Sequence, residues 1–169
     1  MAVEVNKHKT KINFNRFFIT LLYHNIIYIK DIFFLKMLYI LSMKYEELIE
    51  LAKEASKFAY APYSEFPVGA CVLAESGKTY IGCNFENSSY GMTICAERNA
   101  IGTAIVNGER KIRAVAIYSP KRKYCVPCGA CRQVMSEFVS SQGLDIVLET
   151  EDGIAVKPLQ EMLPDIFEL

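Results

Sequence analysis

Histidine is almost absent from this chain of 169 residues, which holds only His8 and His24. None occurs from residue 44 onward. A Ser-His-Asp triad, a Cys-His nucleophile pair and a zinc site of the H-E-x-x-H type all need histidine. These sites are excluded for residues 44–169, where acid–base chemistry has to come from Glu, Asp, Lys, Tyr or a metal-bound water.

The chain also lacks net charge and long apolar runs. Its formal charge is +0 at pH 7, which gives no indication of a nucleic-acid partner. The longest uncharged run, residues 17–29, contains His24 and Asn25 and is shorter than the about 20 apolar residues that span a membrane. No small-residue cleavage site of a secretory signal follows it. We therefore expect neither a membrane nor a nucleic acid as partner.

Residues 1–43 differ in character from the rest of the chain. They carry a net charge of +4, whereas residues 44–169 carry −4. An amphipathic helical pattern begins directly after Met43. We expect residues 1–43 to be a dispensable extension or the product of a misassigned start, and residues 44–169 to form one domain.

Helical and strand patterns alternate along residues 44–169. Apolar side chains at helical spacing predict a first helix over residues 44–60, which Pro62 ends. The segments predicted after it are a hairpin of strands at 68–74 and 79–85, a helix at 95–107, a strand at 112–119, a helix at 129–140, a strand at 144–150 and a helical segment at 159–163. This order predicts an α/β fold of three layers, α/β/α, with a mixed central sheet.

Three of the six cysteines have the spacing of metal ligands. Cys128 and Cys131 are three positions apart at the start of one predicted helix, and Cys95 begins another. Helix N-termini favour the thiolate form, which binds metal. Three protein ligands leave one tetrahedral position for water, as in a catalytic zinc site. Cysteines clustered in this way indicate a reducing cytoplasm rather than a secreted disulfide framework.

Glu97 and Arg98 follow Cys95 within one helical turn. Beside a metal-bound water, Glu97 has the natural role of a proton shuttle, although acids are common in first helical turns. Three thiolates leave Zn²⁺ with a net negative charge, so a guanidinium that donates to sulfur would withdraw charge from the metal. We therefore predict that Glu97 is catalytic and that Arg98 compensates charge.

Residues 44–169 resemble the small cytidine deaminases. Four ordered stretches carry the resemblance: Ala61-Pro62-Tyr63-Ser64 with residues 66–70, Asn84-Phe85-Glu86-Asn87 with residues 89–91, Cys95-Ala96-Glu97-Arg98, and Pro127-Cys128-Gly129-Ala130-Cys131-Arg132-Gln133. Zinc nucleobase deaminases with three cysteine ligands and a glutamate acid/base carry such a pattern. Cysteine at position 95, where nucleotide-acting relatives usually have histidine, favours a free nucleoside as substrate.

The resemblance implies one Zn²⁺ per subunit, with Cys95, Cys128 and Cys131 as ligands and Glu97 as the catalytic residue. The substrate-binding residues that it implies are Phe66, Asn84, Glu86, Ala96 and Phe167. Among these, Asn84 and Glu86 would contact ribose hydroxyls, and strand alternation independently places this pair on one face.

The resemblance also implies an activity and an assembly. The activity is hydrolysis of cytidine and deoxycytidine to the uracil nucleosides and ammonia, for pyrimidine salvage. The assembly is a homotetramer in which Phe66 packs on the base and Phe167 completes the pocket of a neighbouring subunit.

Other interpretations stay open. A deaminase of a cytosine-containing antibiotic, of the blasticidin-S type, is a related enzyme. A non-catalytic structural zinc module that binds a protein would need a fourth ligand, and Cys125 is the candidate. An iron–sulfur cluster that includes Cys125 lacks the further x₃-Cys-Pro. We expect Cys71 and Cys83 to be buried strand residues and Cys125 to be a loop thiol. Tyr63 and Tyr90 either line the pocket or merely pack.

Overall fold

The computed structural model describes residues 45–167. The predictions for residues 1–43 lie outside the described residues. Residues 45–56 form helix α1. The elements after it are β1 (Gly69–Ala74), β2 (Thr79–Cys83), a 3₁₀ turn (Tyr90–Met92), α2 (Ala96–Val106), β3 (Ile112–Tyr118), α3 (Gly129–Ser136), β4 (Asp145–Thr150), β5 (Gly153–Pro158) and α4 (Leu159–Met162). Within the described residues, no helix is both long enough and apolar enough to cross a membrane.

The five strands form one mixed sheet in the order β2-β1-β3-β4-β5. β1 pairs antiparallel with both β2 and β3, β4 pairs parallel with β3, and β5 pairs antiparallel with β4. A parallel pair needs a crossover connection, and α3 lies in the segment that joins β3 to β4. The predicted mixed sheet is confirmed.

Alternate residues of the central strands face opposite sides of the sheet. One face packs against α2 and α3 through the strand residues Ala70, Val72, Val115, Ile117, Ile146 and Leu148. The other face packs against α1 through Cys71, Leu73, Ala114, Ala116 and Val147. Helices therefore cover both faces, and the predicted three-layer α/β/α fold is confirmed.

Gly82 brings the backbone of β2 into direct contact with α2. A β-carbon at residue 82 would lie 2.3 Å from Ala100 N and 2.8 Å from Ala96 O. Both neighbours are backbone atoms, which cannot move aside as a flexible side chain could. This contact therefore sets the position of the first turn of α2, which carries Glu97.

Two helices end four residues earlier than the sequence predicts. α1 ends at residue 56 rather than at Tyr60, because Tyr60 pairs with the segment after β2: its N–H donates to Asn84 O at 3.0 Å. α3 ends at Ser136 rather than at Ser140, because Ser140 N donates to Ile112 O at 3.1 Å, at the start of β3. In both cases long-range backbone pairing outweighs a local helical pattern.

Candidate functional site

Three cysteine sulfurs converge where α2 and α3 begin. Cys95 and Cys128 are the N-cap residues of these helices, and Cys131 lies in the first turn of α3. The three Sγ atoms lie within 4.8 Å of one another, and Cys95 Sγ is 4.0 Å from Cys128 Sγ. Sulfurs bound tetrahedrally at about 2.3 Å from zinc are about 3.8 Å apart. The observed spacing therefore fits a single zinc ion with little rearrangement.

The charge balance of the three thiols also fits a divalent cation. A hydrogen bond with Cys131, together with the guanidinium of Arg98, lowers the pKa of Cys95 to about 5. The pKa of Cys131 is raised, chiefly by its hydrogen bond with Cys95 and by burial. Three thiolates at this distance repel one another. Without a cation the sulfurs therefore retain protons, and a bound cation would replace those protons. A zinc ion supplies that charge.

Arg98 lies against the sulfur cluster from the α2 side. Its Nη2 is 3.5 Å from Cys95 Sγ and donates to Thr93 O at 3.2 Å. The guanidinium thus touches one of the three sulfurs and also the segment that leads into α2. This position suits the charge compensation that the sequence predicts for Arg98.

Glu97 is the buried acid of the site. It is 4% exposed and lines a cavity of about 180 Å³ beside Cys95 and Cys128. Burial raises the pKa of Glu97, and the charge of Cys95 adds to the increase. A raised pKa makes a carboxyl group a better proton acceptor, as the return of a proton to a shuttle requires.

The cavity is lined mainly by apolar groups. Its lining residues besides Glu97, Cys95 and Cys128 are Phe66, Val68, Asn84, Thr93, Ala96, Ile117, Cys125 and Val126. Ligand pockets usually enclose about 300–1,000 Å³. At about 180 Å³, this cavity is smaller than that range.

Three of the five predicted substrate contacts line this cavity: Phe66, Asn84 and Ala96. Asn84 is 8% exposed, and its amide is already engaged. Its Oδ1 accepts Val68 N at 2.8 Å, and its Nδ2 donates to Phe66 O at 3.0 Å. In this structure Asn84 therefore holds the wall of the cavity.

Glu86 lies beside the cavity rather than in its lining. Its carboxylate accepts hydrogen bonds from Tyr63 N at 2.9 Å, from Ser64 N at 3.2 Å and from Ser64 Oγ. The hydrogen bond from the Ser64 hydroxyl is the main reason why the pKa of Glu86 lies below its usual range. Glu86 is thus a charged group that fixes the loop in front of Phe66.

Phe167 is 70% exposed and does not line the cavity of its own chain. Its carbonyl oxygen accepts a hydrogen bond from Gln133 Nε2 at 3.0 Å, on α3. The role predicted for Phe167 in a neighbouring subunit stays a prediction.

Five residues of the cavity wall were not predicted as site residues from the sequence. They are Val68, Thr93, Ile117, Cys125 and Val126. Cys125 is half-buried in its loop and faces the cavity, which the interpretation as a plain loop thiol did not include. Its position three residues before Cys128 was the available signal, whereas Ile117 is an ordinary strand residue in the sequence.

Of the two cysteines predicted to be buried in strands, Cys71 is fully buried and Cys83 is partly exposed.

Three clustered cysteine sulfurs beside a buried carboxyl group are the arrangement expected of a zinc enzyme that activates water for hydrolysis. Residues 42–143 match the model of the cytidine and deoxycytidylate deaminase zinc-binding region. A cytidine deaminase of Sporosarcina psychrophila is 43% identical over 125 residues, which are 74% of this chain and 92% of that protein. A probable cytidine deaminase of Dictyostelium discoideum is 44% identical over 124 residues, 72% of this chain and 82% of that protein.

Solved structures show the same relationship. The crystal structure of cytidine deaminase from Burkholderia pseudomallei has a TM-score of 0.66 and 44% identity, and the match covers 72% of this chain and 97% of that chain. Cytidine deaminase from Mycobacterium tuberculosis has a TM-score of 0.66 and 37% identity, with 74% and 98% covered. This chain belongs to the cytidine deaminase family, a family of zinc-binding hydrolases.

Proposed function

We propose that this chain hydrolyses cytidine and deoxycytidine to uridine and deoxyuridine, with release of ammonia, in pyrimidine salvage. The observation that carries the proposal is the buried Glu97, which shares a cavity with the sulfurs of Cys95 and Cys128. The relatives named cytidine deaminase, which match most of their own length, support the same substrate.

The chemistry divides between a metal and one carboxyl group. Zinc held by Cys95, Cys128 and Cys131 supplies a Lewis acid that makes water nucleophilic near neutral pH. Glu97 takes a proton from the water that attacks C4 of the base and gives it to ring nitrogen N3. It then moves the proton of the new hydroxyl group to the amino nitrogen, so that the C4–N bond breaks and ammonia leaves. The raised pKa of Glu97 suits both transfers.

The cavity wall holds the nucleoside. Phe66 packs against the face of the base, and Ala96 presents backbone at the N-terminus of α2, where amide groups are free to donate. The amide of Asn84 accepts from or donates to ribose hydroxyls, and the charged carboxylate of Glu86 accepts from them. Hydrogen bonds within the protein already orient both polar groups, which reduces the entropy lost on binding.

A homotetramer would complete the site. We propose that Phe167 enters the pocket of a neighbouring subunit, since the cavity of one chain is small. Large apolar side chains are exposed on the described surface, among them Tyr60, Tyr63, Tyr90, Met92 and Phe167. Exposed apolar groups of this size favour contact with another protein surface.

The remaining proposals concern the extent of the catalytic unit and its compartment. Residues 44–169 form the catalytic domain, and residues 1–43 are dispensable for it. The family match and the 92% coverage of a curated relative by 125 residues support the first point. The six free thiols support a reducing, cytoplasmic compartment.

The substitution Glu97→Gln tests the proposed mechanism. The amide keeps the size of the side chain and does not carry protons, so kcat for cytidine is expected to fall by about 10²–10⁴. Zinc content, measured by atomic emission, is expected to stay at one ion per chain, because Glu97 is not a ligand. Normal deamination by this variant would overturn the proton-shuttle role.

The wild-type protein separates the alternatives. Ammonia release is measured on cytidine and on a cytosine-containing antibiotic side by side. The proposed function predicts clear preference for cytidine. A preference for the antibiotic would make this chain an antibiotic deaminase, and no turnover of either by the zinc-loaded protein would leave a structural zinc module.

A further inference from the structure

Ser64 connects two of the proposed substrate contacts. Its Oγ donates to Glu86 Oε1 and accepts a hydrogen bond from Phe66 N at 3.1 Å. Glu86 also accepts Tyr63 N and Ser64 N. One hydroxyl and one carboxylate therefore accept hydrogen bonds from three backbone N–H groups of the loop in front of the cavity, those of Tyr63, Ser64 and Phe66.

The loop adopts a backbone shape that needs such support. Glu65, between Ser64 and Phe66, has φ +52°, in the left-handed region that residues with a β-carbon disfavour. A conformation of this kind persists only where surrounding contacts hold it. Here Ser64, the residue before Glu65, is hydrogen-bonded to Glu86 through its N–H and its hydroxyl. Glu65 N itself donates to Ala61 O at 3.1 Å.

Both backbone polar groups of Phe66, its N–H and its carbonyl oxygen, are held by side chains. Its N–H donates to Ser64 Oγ, and its carbonyl oxygen accepts Asn84 Nδ2 at 3.0 Å. Phe66 and Asn84 line the cavity, whereas Ser64 does not. Ser64 thus acts on the cavity wall without being part of it.

We propose that Ser64 is a positioning residue for substrate binding: its hydroxyl couples the carboxylate of Glu86 to the backbone of Phe66, so that the ribose contact and the wall against the base are set as one unit. The inference rests on the proposed nucleoside contacts of Phe66 and Glu86. It assigns Ser64 no contact with the substrate.

Ser64 is separate from the groups that perform the chemistry. Among the described residues its hydrogen bonds go to Glu86 and Phe66, and none goes to α2 or α3, which carry Glu97 and the cysteines. Loss of the hydroxyl therefore weakens binding of the nucleoside and leaves the proton transfers intact. The expected signature is a change in KM with little change in kcat.

The test is Ser64→Ala in the full chain, assayed on cytidine. KM is expected to rise about tenfold, which corresponds to about 1.4 kcal/mol, while kcat changes by less than about twofold. Zinc content is expected to stay at one ion per chain. Ser64→Thr keeps the hydroxyl and is expected to restore KM to within about threefold of the wild type. A fall in active fraction with unchanged KM would mean a structural role only and would overturn the proposal.

Ser76→Ala is a matched control. Ser76 Oγ donates to Glu109 Oε1 at 2.8 Å and accepts Lys78 N, two residues on, at 3.4 Å. This is the same arrangement of serine, glutamate and backbone, placed in the turn between β1 and β2 and away from the cavity. Its KM is expected to match the wild type. A KM increase equal to that of Ser64→Ala would overturn the proposal.

Further variants separate this inference from the proposed contacts. Phe66→Ala and Glu86→Gln test the contacts themselves, and an unchanged KM in both would remove the proposed contacts and the coupling together. If these two raise KM and Ser64→Ala does not, the coupling alone is wrong.

In the double variant Ser64→Ala/Glu86→Gln, the increase in KM is expected to be smaller than the product of the two single increases, and an increase equal to that product would contradict coupling. Should Ser64→Ala not fold, Ser64→Cys keeps the side-chain shape with a weak donor and carries the same KM prediction.

Discussion

Arg98→Ala removes the one guanidinium that touches the sulfur cluster in the described part of the chain. The Nη2 group of Arg98 lies 3.5 Å from Cys95 Sγ. In the proposed site, zinc with three thiolates would carry a net negative charge, which would make it a weak Lewis acid, and Arg98 would offset that charge. Loss of the guanidinium should therefore slow turnover more than it weakens zinc binding, because all three sulfur ligands remain.

The geometry sets the size of the effect. A hydrogen bond to a charged group contributes about 1.5–3 kcal/mol. The distance of 3.5 Å is long, even for a sulfur acceptor, and Arg98 is only partly buried, so the lower end of this range applies. About 1.5 kcal/mol expressed in the transition state corresponds to a decrease in kcat of about tenfold.

Arg132→Ala is the matched control for this prediction. Arg132 directly follows Cys131, and Arg98 follows Cys95 by three positions. Arg132, however, donates to backbone carbonyls, Pro127 O at 2.9 Å and Met162 O at 3.0 Å. Its loss should lower thermal stability and leave kcat per bound zinc near the wild type. Both variants are assayed for zinc by atomic emission and for ammonia release from cytidine. An unchanged kcat per zinc in Arg98→Ala would refute the charge argument and leave the ligand assignment standing.

Two further predictions concern the scaffold. Gly82→Ala is expected to lower the free energy of unfolding by about 3 kcal/mol or more, because the new methyl group meets the backbone of α2. Gly102→Ala adds a methyl group in open space on α2 and should raise the free energy of unfolding by about 0.5–1 kcal/mol. Thermal unfolding of the two variants measures the contrast. Glu149→Gln tests a pH effect: burial alone would raise the pKa of Glu149, but hydrogen bonds from Lys123 and Lys53 outweigh it and hold that pKa below its usual range. The ion pairs therefore stabilise the fold above the unfolded pKa of about 4.3. In urea unfolding series, the free energy of unfolding of the wild type should exceed that of the variant by about 1 kcal/mol at pH 7, and this difference should fade as the pH falls below about 4. A difference that grows at low pH would contradict the assignment.

Local spacing allowed the cluster of three cysteine sulfurs to be predicted. Cys128 and Cys131 are neighbours on one helical turn, and Cys95 and Glu97 share another, so short-range patterns carry most of the information. The alternating helices and strands predicted the layers in the same way. The tertiary pairing of Tyr60 and Ser140 was not visible, because a partner far along the chain decides where each helix ends.

The wall of the cavity was less predictable for the same reason. Ile117 is a buried strand residue like its neighbours, and only the packing of the sheet against α2 brings it to the cavity. Glu86 shows the opposite case, since its type and position were noted but its partners were not. Its carboxylate is engaged by a loop some twenty residues earlier, and no periodic pattern encodes that contact.

A backbone contact between β2 and α2 connects the proposed binding wall to the proposed zinc ligands. Gly82 lies on the backbone of α2, and Asn99 Nδ2 of that helix donates to Cys83 O at 2.8 Å. Asn84, which holds Phe66, follows Cys83 directly in the chain, and Glu97 directly follows Ala96, one of the two α2 residues that Gly82 contacts. This contact joins β2 and α2 through backbone atoms, so these two elements would fix the proposed base-binding wall relative to the proposed proton carrier. Substitutions that shift this strand–helix contact should change KM and kcat together, unlike those at Ser64 or Arg98, which each act on one half.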